Sequence, residues 1–256
     1  MLFRSLASKL LADAADDACT MAVLPENFAL MGKQGRDKAD VAEEPGAGPI
    51  HDFLSKIAKH LGLWIVGGSM PLVSPEIAGG RVYGACPVYD DQGSVQAIYR
   101  KIHLFDVDLV ESKESYRESR SMVPGHDVVT VDTPCGRVGL TICYDLRFPE
   151  LFRQLVDAGA TMFTVPAAFT ATTGEAHWHT LLRARAIENL AYVVAPGQYG
   201  QHADGRLTYG HSLIIDPWGR ILAEAADGDC HVAADIDPDL PTKLRSEFPA
   251  LANRRL

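Results

Sequence analysis

Residues 139–151 read GLTICYDLRFPEL: a short apolar run, a cysteine, then a charged and turn-forming stretch that opens a helical pattern. A brief apolar run before RFPELFRQLVDAG (147–159) predicts a strand handing over to a helix. Cys143 stands at the junction and admits two readings. It is a small hydrophobe finishing a core strand, the usual fate of a free cysteine, or a nucleophile held at a strand end.

Outward from this stretch the same alternation continues. On the N-terminal side, DVVTVDTPCGRVGLTI pairs two strands around TPCG; on the other, TMFTVPAAF is a strand, GEAHWHTLLRARAIENL a helix and AYVVAPGQYG a strand. HSLIIDPWGRILAEA turns on DPWG. Nearer the start, TMAVLPE (20–26) is a strand stopped by Pro25, GPIHDFLSKIAKHLG (48–62) a helix ending at Gly62, and LWIVGGSMPLV (63–73) a strand. RVYGACPVYDDQGSVQAIYRKIHL (81–104) is a hairpin on DDQG, and 105–127 carries no period and reads as a loop. The first residues keep a four-residue apolar step, Leu2, Leu6, Leu10 and Ala14, which predicts a helix. Arg4 and Lys9 imitate a targeting segment, but Asp13, Asp16 and Asp17 follow at once. Hairpins this numerous point to a mixed α/β protein, and no linker divides residues 1–256, so one domain is expected.

Composition narrows the function classes. Of the 256 residues 47% are apolar and 22% charged, and the net charge of −9 argues against a nucleic-acid partner, which needs Lys and Arg to meet phosphates. No apolar run approaches the ~20 residues of a membrane span. Five scattered cysteines, Cys19, Cys86, Cys135, Cys143 and Cys230, fit a reducing compartment such as the cytoplasm better than a disulfide framework.

Three polar residues end apolar strands: Glu26 in VLPE, Lys101 after AIYR, and Cys143 after GLTI. Strand ends are where α/β proteins place chemistry. Each has a bland alternative: a solvated glutamate, a snorkelling lysine, a structural cysteine. His177 and His179 form an HxH pair, but i and i+2 do not share a helix face, which argues against a metal site. GxGxxG, P-loop, HExxH and GxSxG motifs are all absent from the sequence.

Together VLPENFALMG, YRKIHLFDVD, GLTICYDLRFPEL, VPAAFTATTGEAHW, LLRARAIENLAYVVAPGQYG and YGHSLIIDPWGRILAEA resemble the nitrilase superfamily of carbon–nitrogen hydrolases over nearly the whole chain. The resemblance implies an α-β-β-α sandwich, two mixed sheets flanked by helices, assembled as a homodimer or higher even oligomer. It carries a Glu-Lys-Cys triad onto Glu26, Lys101 and Cys143. The AHW, LRARAIEN and YGHS segments are similar to the branch containing deaminated glutathione amidase and ω-amidase. The LRARAIEN and APGQYGQH segments are more similar to the former, so the substrate implied is deaminated glutathione, split to 2-oxoglutarate and Cys-Gly. The alternative is 2-oxoglutaramate or a related small amide, and no metal and no cofactor is implied.

In that chemistry the thiol attacks as thiolate, a form that a neighbouring Lys⁺ favours. The Tyr144 backbone N–H would hold the oxyanion, and Glu26 would move the proton. By resemblance Glu118 is a second glutamate that orients the lysine, with Glu111 and Glu114 as nearby alternatives. Arg147, Phe169 and Thr173 would line the substrate pocket, Arg147 as a fork for an α-keto acid carboxylate. A salt bridge from Arg147 to Asp145 or Glu150 is the competing reading. The family opens with a strand ahead of its first helix, and Met1 falls where that helix begins. The first strand is therefore expected to be missing, through a wrong start, a truncation or a genuine variant, with an uncovered sheet edge as the consequence. A catalytically silent scaffold member is the alternative of another class.

Overall fold

The structure is a computed structural model that describes all residues except 1, 34, 74–79, 110–113, 226 and 256, and the side chains of 2–4 and 35. The first half carries strands Met21–Val23 (β1), Trp64–Val66 (β2), Met70–Leu72 (β3), Tyr83–Tyr89 (β4) and Val95–Arg100 (β5) in one sheet. Its helices are Leu2–Asp16 (α1), Gly35–Asp40 (α2) and Pro49–Leu61 (α3). A small hairpin, Asp106–Leu109 (β6) with Glu114–Arg117 (β7), leads into the second half. There Thr130–Thr133 (β8), Gly136–Leu140 (β9), Met162–Thr164 (β10) and Tyr192–Ala195 (β11) lie in a second sheet. A hairpin, Tyr199–Gln201 (β12) with Leu207–Tyr209 (β13), interrupts that sheet before Leu213–Ile215 (β14) and Ile221–Glu224 (β15) complete it. The second-half helices are Pro149–Asp157 (α4), Ala171–Asn189 (α5) and Leu240–Glu247 (α6).

Both sheets are mixed. β1 and β2 run parallel while β4 is antiparallel to β2, β3 and β5. β9, β10 and β11 are parallel, β8 and β14 flank them antiparallel, and β15 pairs antiparallel with β14. The helices sort by layer, because each has one apolar face to bury. Leu11 of α1 and Ile50, Leu54 and Ala58 of α3 pack on Ile65, Met70 and Ala85 of the first sheet. Val66, Val88 and Tyr99 from the other face join Val138, Leu140 and Phe163 in the main core, with Phe152 of α4 and Trp178 of α5 closing it. The order helix, sheet, sheet, helix is the α-β-β-α sandwich expected.

Four local expectations are corrected. α1 forms, but its buried face is Ala7, Leu11 and Ala14, with Leu6 39% exposed. A helix repeats every 3.6 residues, so a strict four-residue step drifts off one face. The run 63–73 is two strands, broken at Gly67 and Gly68. Gly68 has φ 62°, and an added Cβ there would run into the Pro25 carbonyl oxygen. The loop expected at 105–127 contains the β6–β7 hairpin and a 3-10 turn at Glu118–Arg120; its short strands are half-exposed and leave no apolar period. The helix expected from 147 starts as a 3-10 turn, Cys143–Arg147, before α4. Among the described residues β1 is paired on one side only, and a cleft of about 720 Å³ runs beside it, touched by Leu6, Leu10, Val194, Leu213 and Ile236.

Candidate active site

The ends of β1, β5 and β9 bring Glu26, Lys101 and Cys143 to the wall of one cavity of about 230 Å³. Pro25 stops β1, so Glu26 leaves the sheet edge and turns inward, 5% exposed. Its backbone carbonyl accepts from Gln198 Nε2 at 3.0 Å. Lys101 follows β5, is 2% exposed, and anchors through its own N–H to the Gly84 carbonyl at 2.8 Å. Its ammonium donates to Glu26 Oε1 at 2.9 Å and to both Glu118 oxygens at 3.0 and 2.9 Å. Glu118 is held in place by the Phe105 N–H, which donates to Oε2 at 2.7 Å. Of the alternatives, Glu114 instead accepts from the Tyr116 hydroxyl at 2.8 Å, and Glu111 lies outside the described residues.

Cys143 begins the 3-10 turn with φ 48°, a left-handed conformation that is strained for any residue with a Cβ. Two anchors over-determine it. Its N–H donates to the Pro166 carbonyl at 2.8 Å, and Asp145, fully buried, ties the turn down from below. Asp145 Oδ2 accepts from the Ile142 N–H at 2.8 Å and the Tyr99 hydroxyl at 2.6 Å. Its Oδ1 accepts from the His103 N–H at 3.0 Å and meets His103 Nδ1 at 2.7 Å. The Tyr144 N–H falls in the first turn, where helical N–H groups lack intrahelical acceptors.

The electrostatics assign protons. Burial pushes Glu26 up, but the Lys101 charge and hydrogen bond outweigh it and hold the carboxyl below its ordinary range. Burial pushes the Lys101 ammonium down, and Glu118 and Glu26 more than reverse that. The Cys143 thiol is raised well above the usual thiol range, first by burial and then by the Glu26 charge, with Lys101 pulling the other way. Lys101 favours the thiolate as expected, but burial and the Glu26 charge outweigh it, which fits a resting set of carboxylate, ammonium and neutral thiol.

The remaining expected residues are placed unevenly. Phe169 and Thr173 line the cavity, but Thr173 is engaged by Thr170, hydroxyl to hydroxyl at 2.8 Å and N–H to hydroxyl at 3.3 Å. Arg147 touches the cavity wall from outside, 5.2 Å from the Phe169 ring centroid and 5.9 Å from that of Tyr144. Its guanidinium meets His177 Nδ1 at 3.3 Å, so the salt bridge to Asp145 or Glu150 weighed against it does not form. His177 and His179 diverge: His179 and His211 both bond one oxygen of Glu224, at 2.9 and 2.8 Å. Sequence reasoning missed Asp145 as the anchor of the turn, the Ala168 N–H that donates to Glu26 Oε2 at 2.9 Å, and two cavity cations, Lys38 and Arg206.

Known proteins match this sequence and this fold. The carbon–nitrogen hydrolase family model covers residues 3–245. Deaminated glutathione amidase of Yersinia enterocolitica is 40% identical over 235 residues, 92% of this chain and 82% of that protein. Deaminated glutathione amidase of Bos taurus is 39% identical over 250 residues, 97% of this chain and 76% of that protein. The solved NitFhit protein of C. elegans superposes with a TM-score of 0.88 at 36% identity, over 98% of this chain and 60% of that longer one. The chain belongs to the carbon–nitrogen hydrolase family, within the nitrilase superfamily. It is a hydrolytic enzyme of the amidase type.

Proposed function

We propose that this amidase hydrolyses deaminated glutathione to 2-oxoglutarate and Cys-Gly, with Cys143 as nucleophile, Glu26 as proton carrier, and Lys101 and the Tyr144 N–H as oxyanion donors. One observation carries the assignment: Lys101 bridges Glu26 and Glu118 beside Cys143 in a single cavity. The relatives of that name at 40% and 39% identity support the substrate.

The neutral thiol attacks the amide carbonyl carbon as its proton passes to Glu26, so thiolate forms only where it is used. The oxyanion sits between Lys101 and Tyr144 N–H. Collapse breaks the C–N bond, and the departing amine takes the proton from Glu26, leaving an acyl thioester on Cys143. Glu26 then deprotonates a water that attacks the thioester, releasing 2-oxoglutarate and restoring the thiol. Glu118 keeps Lys101 charged and in place throughout. Phe169, Thr173 and, behind the wall, Arg147 are assigned to the α-keto acid end.

The chain is further proposed to fold as one domain over residues 1–256, to work in the cytoplasm, and to assemble as a homodimer or higher even oligomer. The five free cysteines support the compartment. Exposed Ile187, Trp218 and Phe248 offer apolar surface for self-association. Among the described residues no helix is long and apolar enough to cross a membrane.

The deciding assay incubates the protein with deaminated glutathione and with 2-oxoglutaramate and follows the products. Turnover of the first, abolished by Cys143→Ala, is expected. Turnover of 2-oxoglutaramate alone would make it an ω-amidase. Absence of any turnover, with Cys143 inert to iodoacetamide in folded protein, would favour the scaffold reading.

A further inference from the structure

The cavity that holds the triad is lined by four further cations, Lys33, Lys38, Arg117 and Arg206. Their commitments differ. Arg117 is held by both oxygens of Asp108, at 2.8 and 2.7 Å. Arg206 has a single looser ion pair, to Asp204 at 3.3 Å, and lies 5.1 Å from the centroid of the Tyr116 ring. Lys33 is exposed at the rim. Lys38, on α2, is half-buried, and its ammonium has no hydrogen-bond or ion-pair partner among the described residues.

A cation withdrawn from water without a partner is costly unless a counter-charge arrives. Burial pushes the Lys38 ammonium down against the more distant pull of Glu118 and Glu26, and Arg206 is close enough to add repulsion. Those glutamates are already spent on Lys101. The open valences of Lys38 and Arg206 therefore face the cavity, and a second anion in the substrate would fill them.

We propose that Lys38 and Arg206 form a carboxylate subsite of the catalytic cavity, which receives the terminal carboxylate of the leaving amine fragment. This rests on the substrate reading above and sharpens it. A dipeptide leaving group reaches at most about 7 Å beyond the scissile nitrogen, at ~3.5 Å per residue, a span suited to one small cavity. Ammonia, the leaving group of a simple ω-amide, has nothing to place there. The substrate class is then amides whose amine portion ends in a free carboxylate, and the subsite is a specificity device acting on KM.

The test compares deaminated glutathione with its analogue in which the glycine carboxyl is a neutral carboxamide, on wild-type protein, Lys38→Met and Lys38→Arg. Wild type is expected to favour the free acid by at least tenfold in kcat/KM, about 1.4 kcal/mol, mainly through KM. Lys38→Met should reduce that preference to threefold or less, and Lys38→Arg should retain it. An indirect effect of Lys38 on Glu118 or Glu26 would slow both substrates by one factor and leave the preference intact, which overturns the proposal. A wild type without preference overturns it too, whatever the variants do. If wild type hydrolyses neither compound, the substrate reading itself fails.

Discussion

Replacing Glu26 with Gln separates the structural task of this carboxylate from the catalytic one proposed for it. One oxygen accepts from Lys101 at 2.9 Å and the other from the Ala168 N–H at 2.9 Å. Glutamine has one acceptor oxygen, so one of those donors is left facing an NH₂ group. An unmet buried donor costs about 1–3 kcal/mol, moderated here because Lys101 keeps both Glu118 oxygens. For a chain of this size each kcal/mol lowers Tm by roughly 2–4 °C, so a fall of roughly 2–12 °C is expected by calorimetry. Loss of the general base should lower kcat by about 10²–10⁴-fold. The thiol should respond in the opposite sense. Burial still raises it, but the Glu26 charge no longer does, and the Lys101 pull remains. The midpoint of the pH profile for iodoacetamide alkylation of Cys143 should therefore move down while turnover is lost. A midpoint that stays or rises, or a kcat above a tenth of wild type, would refute the charge assignment.

The pH profile of kcat/KM should fall on the acid side only below the ordinary carboxylate range, since Glu26 is depressed in the folded state. Stability linked to Glu26 is likewise present above its unfolded value and lost as pH falls through the folded one. A rate that climbs through pH 7–9 would mean a resting thiolate forms instead, against the raised thiol. Glu118→Gln removes one of the two charges that raise Lys101; the pH at which activity is lost on the alkaline side should move down, and kcat should fall at least tenfold. An unmoved limb would dissociate Glu118 from the lysine. Asp145→Ala strips four contacts from the nucleophile turn and should cost about 2–4 kcal/mol in denaturant unfolding. Wild-type stability would show that Cys143 holds its conformation without it.

Most strands and helices were legible because apolar runs and helical spacing are local properties, whereas their layering came from the family resemblance. The strand ends were legible for the same reason: VLPE, YRK and TICYD each break an apolar run at a charged or reactive residue. Their convergence was not, since it depends on two sheets packing face to face. Asp145 illustrates the limit. Its nearest charged neighbour in sequence is Arg147, two residues away, yet its partners Tyr99 and His103 come from the other sheet's final strand and the segment after it. Lys38 and Arg206 sit on short polar segments with no apolar period, so nothing local marks them as cavity residues. The Lys101 pull on the thiol was readable as a motif, while the burial that outweighs it was not.

This proton assignment explains why one lysine faces two glutamates. At rest the buried set carries two carboxylates, one ammonium and a neutral thiol, for a net charge of −1. In the proposed mechanism, attack by Cys143 passes the thiol proton to Glu26 and the negative charge through sulfur to the carbonyl oxygen. The net charge stays at −1, so no new charge is created in a site that solvates charge poorly. With Glu26 alone, that proton transfer would leave the ammonium facing only the oxyanion, a stronger base than the carboxylate it replaces. Burial would then favour loss of its proton. Glu118, bonded through both oxygens and fixed by the Phe105 N–H, holds the ammonium charged while Glu26 changes state. The second glutamate thus lets the first one titrate.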